Sequence, residues 1–139
     1  MKKMPLLFCL VSCCSLPLYG IAAVLCPQAI ECDNSKHCHF LGDANSDWKI
    51  TDTQFSAESI FYLVNATGYN NSDTFQCIYR NKKLNATHVS AENTFPMAPD
   101  TSVYNNKWVF LKNGTLDCPS YHMGYEPIPP FDCPLKKKE

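Results

Sequence analysis

The sequence predicts a mainly β fold: a small antiparallel sheet or sandwich stapled by disulfides, with at most one short helix. Three observations predict it. Aromatic and β-branched residues come in short runs punctuated by Asn, Asp, Gly and Pro, the pattern of strands joined by turns. Six cysteines (Cys26, Cys32, Cys38, Cys77, Cys118 and Cys133) follow an apolar leader, an even set for pairing in an oxidising compartment. The stretch 24–135 has the length of one domain, since ~100 to 150 residues is the commonest size, and it can bury a core that bridges reinforce.

Residues 1–23 read as a signal peptide. Lys2 and Lys3 start it, Pro5 to Leu18 is apolar, and the small residues Gly20, Ala22 and Ala23 precede the rise in polarity. Cleavage after Ala23 makes Val24 the first mature residue; cleavage after Ala22 also suits. An uncleaved membrane anchor competes, because the apolar run approaches the ~20 residues that span a bilayer, but Pro17 and Gly20 interrupt it. So does a lipoprotein acylated at Cys13 after Leu10-Val11-Ser12, although its hydrophobic region would be short. Of the nine cysteines, Cys9, Cys13 and Cys14 leave with the leader. The mature chain is expected to be secreted or periplasmic, with no transmembrane segment.

Element by element, Cys32 and Cys38 flank the polar run Asp33-Asn34-Ser35-Lys36-His37, which suits a hairpin closed by that pair. The stretch Thr53 to Val64 is ambiguous: Ser56, Ala57 and Glu58 permit a helix, whereas Ile60, Phe61, Tyr62 and Val64 favour a strand. We read it as a strand interrupted near Glu58. Gly68 to Asp73 reads as a turn-rich loop and Phe75 to Arg80 as a strand. Asn81-Lys82-Lys83 joins it to an alternating strand, Ala86 to Ala91. Phe95 to Asn106, with Pro96 and Pro99, reads as a loop, and Lys107 to Lys112 as a strand. Trp48, Phe55, Phe75, Tyr79, Trp108 and Phe110 are the expected core. Residues 136–139 form a basic tail, expected to be solvated.

Six cysteines allow 15 pairings. Besides Cys32–Cys38, a Cys118–Cys133 bridge would fix the proline-rich stretch Glu126-Pro127-Ile128-Pro129-Pro130 to the body, which leaves Cys26 for Cys77. The set Cys26-Pro27, Ile30, Cys32, Cys38, Trp48, Phe55 with Ala57, Cys77 with Tyr79, Trp108 and Cys118 resembles small secreted cysteine-containing proteins of Gram-negative bacteria, grouped as a domain of unknown function. That resemblance implies an export route and a small β-rich fold, and brings no activity or catalytic residue.

Charge narrows the partners. Removing Lys2 and Lys3 lowers the 12 basic residues to 10 against 13 acidic ones, a net charge of about −3 with histidine neutral. General nucleic-acid binding is disfavoured. Asp43, Asn45 and Asp47 stand at positions 1, 3 and 5 of a calcium-loop pattern. Trp48 occupies the place of the turn glycine, however, and Gln54 that of the closing carboxylate, so a solvated turn is the plainer reading. His37-Cys38-His39 carries zinc and copper ligand types, yet its cysteine is expected in a disulfide and no second pair follows at zinc spacing. His88 and His122 read as isolated. Ser120-Tyr121-His122 near Asp117 is the nearest approach to a triad, and no Gly-x-Ser-x-Gly motif exists. Asn65, Asn70, Asn85 and Asn113 head glycosylation sequons, which carry meaning only in a eukaryotic or infected host cell. The PxxP spacing from Pro127 to Pro130 reads as a stiff loop.

These readings converge on a small secreted or periplasmic binding protein, non-catalytic and without a cofactor, that presents turn-rich loops to a protein or glycan ligand. The alternatives are a calcium-stabilised module on the Asp43 to Asp47 loop, an N-glycosylated host-interaction protein, and a small hydrolase assembled only in three dimensions.

Overall fold

The computed structural model describes residues 23–42, 46–55, 57–81, 83, 88–103, 106–119 and 133–139. Ten strands follow in order: β1 Ala29–Cys32, β2 Cys38–Phe40, β3 Trp48–Gln54, β4 Ser59–Tyr69, β5 Phe75–Arg80, β6 His88–Asn93, β7 Met97–Pro99, β8 Val109–Phe110, β9 Thr115–Pro119 and β10 Leu135–Lys137. There is no helix among the described residues.

Eight strands form one antiparallel sheet in the order β2-β1-β4-β5-β6-β3, with β9 also paired to β4 and β8 to β9. The outermost members of that order, β2 and β3, approach one another, so the sheet curls nearly shut. Strands β7 and β10 form a separate pair. The long β4 organises the whole: Ser59–Tyr62 pair with β1, Asn65–Tyr69 pair with β9 on the same side, and β5 lies along the other side. A register shift between Leu63 and Asn65 inserts one extra residue. That bulge is why Phe61 and Leu63, then Ala66 and Gly68, all face inward across an odd step.

The core contains Ile30, Trp48, Phe61, Phe75, Tyr79, Trp108 and Leu116, each buried and each contributing on the order of 1.5 to 3 kcal/mol by leaving water. Gly68 makes room for one of them. A Cβ there would lie 2.7 Å from Cδ1 of Phe75, so the Phe75 ring packs directly on the β4 backbone. The Tyr79 hydroxyl is buried with no hydrogen-bond partner among the described residues, and desolvation pushes its phenol well above the ordinary range. The two tryptophans anchor the two terminal segments, which meet side by side. Trp48 Nε1 donates to the Leu25 carbonyl at 2.9 Å and Trp108 Nε1 to that of Pro134 at 2.7 Å. Val24 and Leu135 exchange backbone bonds of 2.7 and 2.8 Å. The bridges are Cys26–Cys77, Cys32–Cys38 and Cys118–Cys133, the pairs set out above.

Several expectations need correction. Thr53 to Val64 is two strands, β3 at one end of the strand order and β4 near its middle, and the break near Glu58 is the passage between them. Gly68 and Tyr69 belong to β4, not to a loop. The strand placed at Ala86 to Ala91 spans His88–Asn93, and that at Lys107 to Lys112 shrinks to Val109–Phe110. Phe110 is 56% exposed. It shares a side with its partner Leu116, but β8 is a two-residue strand paired to β9 away from the main strand order, and Trp108 takes the buried place instead. Phe55 is only partly buried, its ring 5.6 Å from that of Phe61. The terminal lysines are exposed but held: Lys136 and Lys137 lie in β10, and Lys137 and Lys138 form ion pairs with Asp47 and Asp73. Residues 1–22 of the expected leader 1–23, including Cys13, lie outside the described residues, as does the Pro127 to Pro130 segment.

Candidate functional site

Alternation along the strands divides the sheet into an inner and an outer face. One row of directly paired residues crosses the outer face from β3 to β8: Lys49, Glu92, Gln76, Thr67, Asp117 and Val109. Two residues further along β4, on the same face, Tyr69 pairs with Thr115. Tyr69 is 67% exposed, the most exposed of the large hydrophobic side chains among the described residues. Beside it lies an open groove of about 300 Å³ lined by Thr67, Gly68, Tyr69, Ser72, Thr74, Gln76 and Glu92.

The groove is held by short-range geometry. The loop from Asn70 to Thr74 is pinned at both ends: Asn70 N donates to Gly114 O at 2.8 Å, and Ser72 N donates to Tyr69 O at 2.9 Å. The Thr74 amide donates to Ser72 Oγ at 3.0 Å, a local turn bond, and the Phe75 amide donates to Asn93 Oδ1 at 2.6 Å. On the floor, Thr67 Oγ1 donates to Leu116 O and Gln76 Nε2 to Ser90 Oγ. Glu92 makes no ion pair among the described residues. The groove therefore joins an aromatic face, hydroxyls, an amide and one carboxylate, with no basic side chain in its lining. Next to it on β8 and the following turn, Val109, Phe110 and Leu111 are exposed.

The sequence-predicted residues fall elsewhere. Asp43 and Asn45 lie outside the described residues, and the carboxylate of Asp47 meets Lys137 Nζ at 2.6 Å. Cys38 is bonded to Cys32. Its neighbours pair with carboxylates, His37 with Asp33 at 3.4 Å and His39 with Glu31 at 3.3 Å, around a second pocket of about 270 Å³ that Glu58 also lines. No group of three or more His, Cys, Asp or Glu side chains among the described residues is arranged to hold a metal. Asn65 is not on a surface loop: it is in β4, with Nδ2 donating to Asp117 Oδ1 at 2.9 Å and Oδ1 buried. Asn70 and Asn113 are exposed, and Asn85 lies outside the described residues.

His88, read as isolated, is not. Its Nε2 lies 3.0 Å from Asp52 Oδ2, and Ser90 follows on the same face. Ser90 is 2% exposed and its hydroxyl is engaged by Thr51 and Gln76, which withholds it from an incoming carbonyl. Ser120 and His122 lie outside the described residues, and Asp117 bonds Asn65. Among the described residues no helix is long and apolar enough to cross a membrane. Comparison with known protein families, with curated proteins and with solved structures finds no match to this chain.

Proposed function

We propose that this is a small exported binding protein, non-catalytic, whose contact surface is the outer sheet face around Tyr69. One observation carries the reading: the Tyr69 ring stands in solvent beside a hydrogen-bonded groove, while Phe61, Phe75 and Tyr79 are withdrawn into the core. An aromatic side chain left exposed at a rigid edge offers contact area at little entropic cost. Three disulfides in a domain of this length support secretion or a periplasmic location, since such bridges persist in oxidising compartments.

The test compares immobilised, disulfide-intact protein with Tyr69→Ala and with a control at the far pocket, Glu31→Ala, against material from the compartment where the mature protein is found. The reading expects retention of a defined ligand that Tyr69→Ala weakens and Glu31→Ala leaves unchanged. His37→Ala and His88→Ala should bind as the parent does. Loss of a detected turnover in His88→Ala, with fold and binding intact, would place the protein among enzymes and overturn the reading, because removing a general base costs ~100 to 10,000-fold in rate.

A further inference from the structure

We infer that the Tyr69 groove takes a neutral saccharide. The inference rests on the reading of that face as the contact surface and names its ligand class. Four features of the groove converge on it.

Charge comes first. The lining has one carboxylate, Glu92, and no lysine, arginine or histidine. A phosphate, sulfate or uronate would meet that like charge first, because the cation of the row, Lys49, lies beyond Glu92 on the side away from Tyr69, so anionic ligands are disfavoured. Polarity comes second. Ser72, Thr74, Gln76 and Glu92 make the lining polar; Ser72 Oγ and Gln76 Nε2 are bonded to Thr74 and Ser90, whereas the Glu92 carboxylate would lose its water beneath a purely apolar ligand. Third is the ring. Tyr69 offers a flat apolar surface ending in a hydroxyl, which suits a ligand with axial C–H groups on one face and hydroxyls around its edge. A pyranose ring has that form. The fourth is size and stiffness. At about 300 Å³ the groove sits at the small end of ligand clefts, with room for about one or two sugar rings. Its wall is bonded to the body through Asn70, Ser72 and Thr74, so little order has to be gained on binding.

A second copy of the chain fits less well at this face. The exposed Val109 and Phe110 invite edge pairing through β8, but the antiparallel self-pairing that sets Val109 opposite Phe110 sets Lys107 opposite Lys112, two like charges.

The experiment titrates the purified, oxidised protein with tetrasaccharides of β-1,4-linked glucose, β-1,4-linked N-acetylglucosamine and α-1,4-linked glucose. Oligogalacturonate serves as the anionic probe. Calorimetry gives affinity and amide NMR gives location. At least one neutral probe is expected to bind in the micromolar to millimolar range, with shifts centred on Thr67, Tyr69, Ser72, Gln76 and Glu92. Tyr69→Ala should weaken it by about tenfold, and Tyr69→Phe should keep most of it. Oligogalacturonate should not bind the parent protein, and Glu92→Gln should narrow that difference. Because Tyr69 is largely exposed, its substitution leaves the core intact, and the NMR spectrum of the variant verifies this. Failure of every neutral probe, or binding that survives Tyr69→Ala, overturns the saccharide assignment. If a protein ligand is then retained in a Tyr69-dependent way, the contact surface stands with a different ligand class. If nothing depends on Tyr69, both fall.

Discussion

The β1–β2 and β8–β9 hairpins share one hydrogen-bond plan and are secured by opposite means. In the first, Asp33 N donates to His37 O at 3.0 Å and Lys36 N to Asp33 O at 3.1 Å. In the second, Leu111 N donates to Thr115 O at 2.9 Å and Gly114 N to Leu111 O at 3.0 Å. Each puts a left-handed residue at the same place in the turn, Lys36 with φ 63° and Gly114 with φ 81°. This is the type I turn completed by a left-handed residue that joins strands through a short loop. Below the turn the two differ. Where the first has Cys32 opposite Cys38, joined covalently, the second has exposed Phe110 opposite buried Leu116. A covalent tie tolerates a lysine where glycine is the relaxed choice. Without one, the turn takes the unstrained residue, and the hairpin is held by the buried Leu116 below the turn and by the pairing of β9 with β4.

The largest expected effect breaks the second hairpin at that side chain. Leu116→Ala should destabilise the protein by about 3 kcal/mol in urea denaturation, from lost burial and the cavity left behind, while Phe110→Ala should cost far less. Equal effects would mean that Phe110 is buried in solution.

The bridge comes next. Replacing both Cys32 and Cys38 by alanine should cost about 2 kcal/mol, because the closed loop is short and restricts the unfolded chain only modestly.

The turn residues have smaller and opposite effects. Gly114→Ala should destabilise by about 1 kcal/mol, whereas Lys36→Gly should stabilise by about 0.5 kcal/mol, the relief of the left-handed strain less the added freedom of the unfolded chain. Thermal melts of the two variants read the signs directly, and a destabilised Lys36→Gly would remove strain from the account of the first hairpin.

The smallest effect depends on pH. The His37 amide hydrogen bond lowers the Asp33 carboxyl below its usual range; slight desolvation opposes it, and the Ser35 amide and His37 ring add to the lowering. A folded value below the unfolded one means that the carboxylate stabilises the fold above about pH 4 and that this contribution is lost as pH falls through the folded value. The stability difference between parent and Asp33→Asn should therefore shrink on going from about pH 5 to about pH 2. A difference that grows would reverse the sign of the argument.

What could be read from the sequence was local or alternating. The Cys32 to Cys38 hairpin was legible because its turn residues lie between its cysteines, Trp48 and Phe75 because they alternate with polar neighbours, and Tyr79 and Trp108 because they stand in short aromatic and β-branched runs that end in basic residues. Phe110 was not, since the choice between it and Trp108 for burial depends on how β8 joins the strand order. Tyr69 was hidden within a turn-rich stretch. Its groove is assembled from Thr67, Gln76 and Glu92 on three strands, and neither that row nor the approach of His88 to Asp52 leaves any trace in residue spacing. The docking of Lys137 against Asp47, with its ammonium 4.8 Å from the Phe95 ring centre, was likewise invisible, because a terminal lysine run reads as solvated until a strand partner is known.

The indole bonds to Leu25 and Pro134 give the molecule a pair of optical reporters, one for each terminal segment. These are its two tryptophans, so single-tryptophan forms made by Trp48→Phe or Trp108→Phe would report one segment alone. Release of the segment at Leu25 would redden the emission of Trp48, and release of that at Pro134 the emission of Trp108. During refolding, the order in which the two signals turn blue would tell which terminal segment docks first.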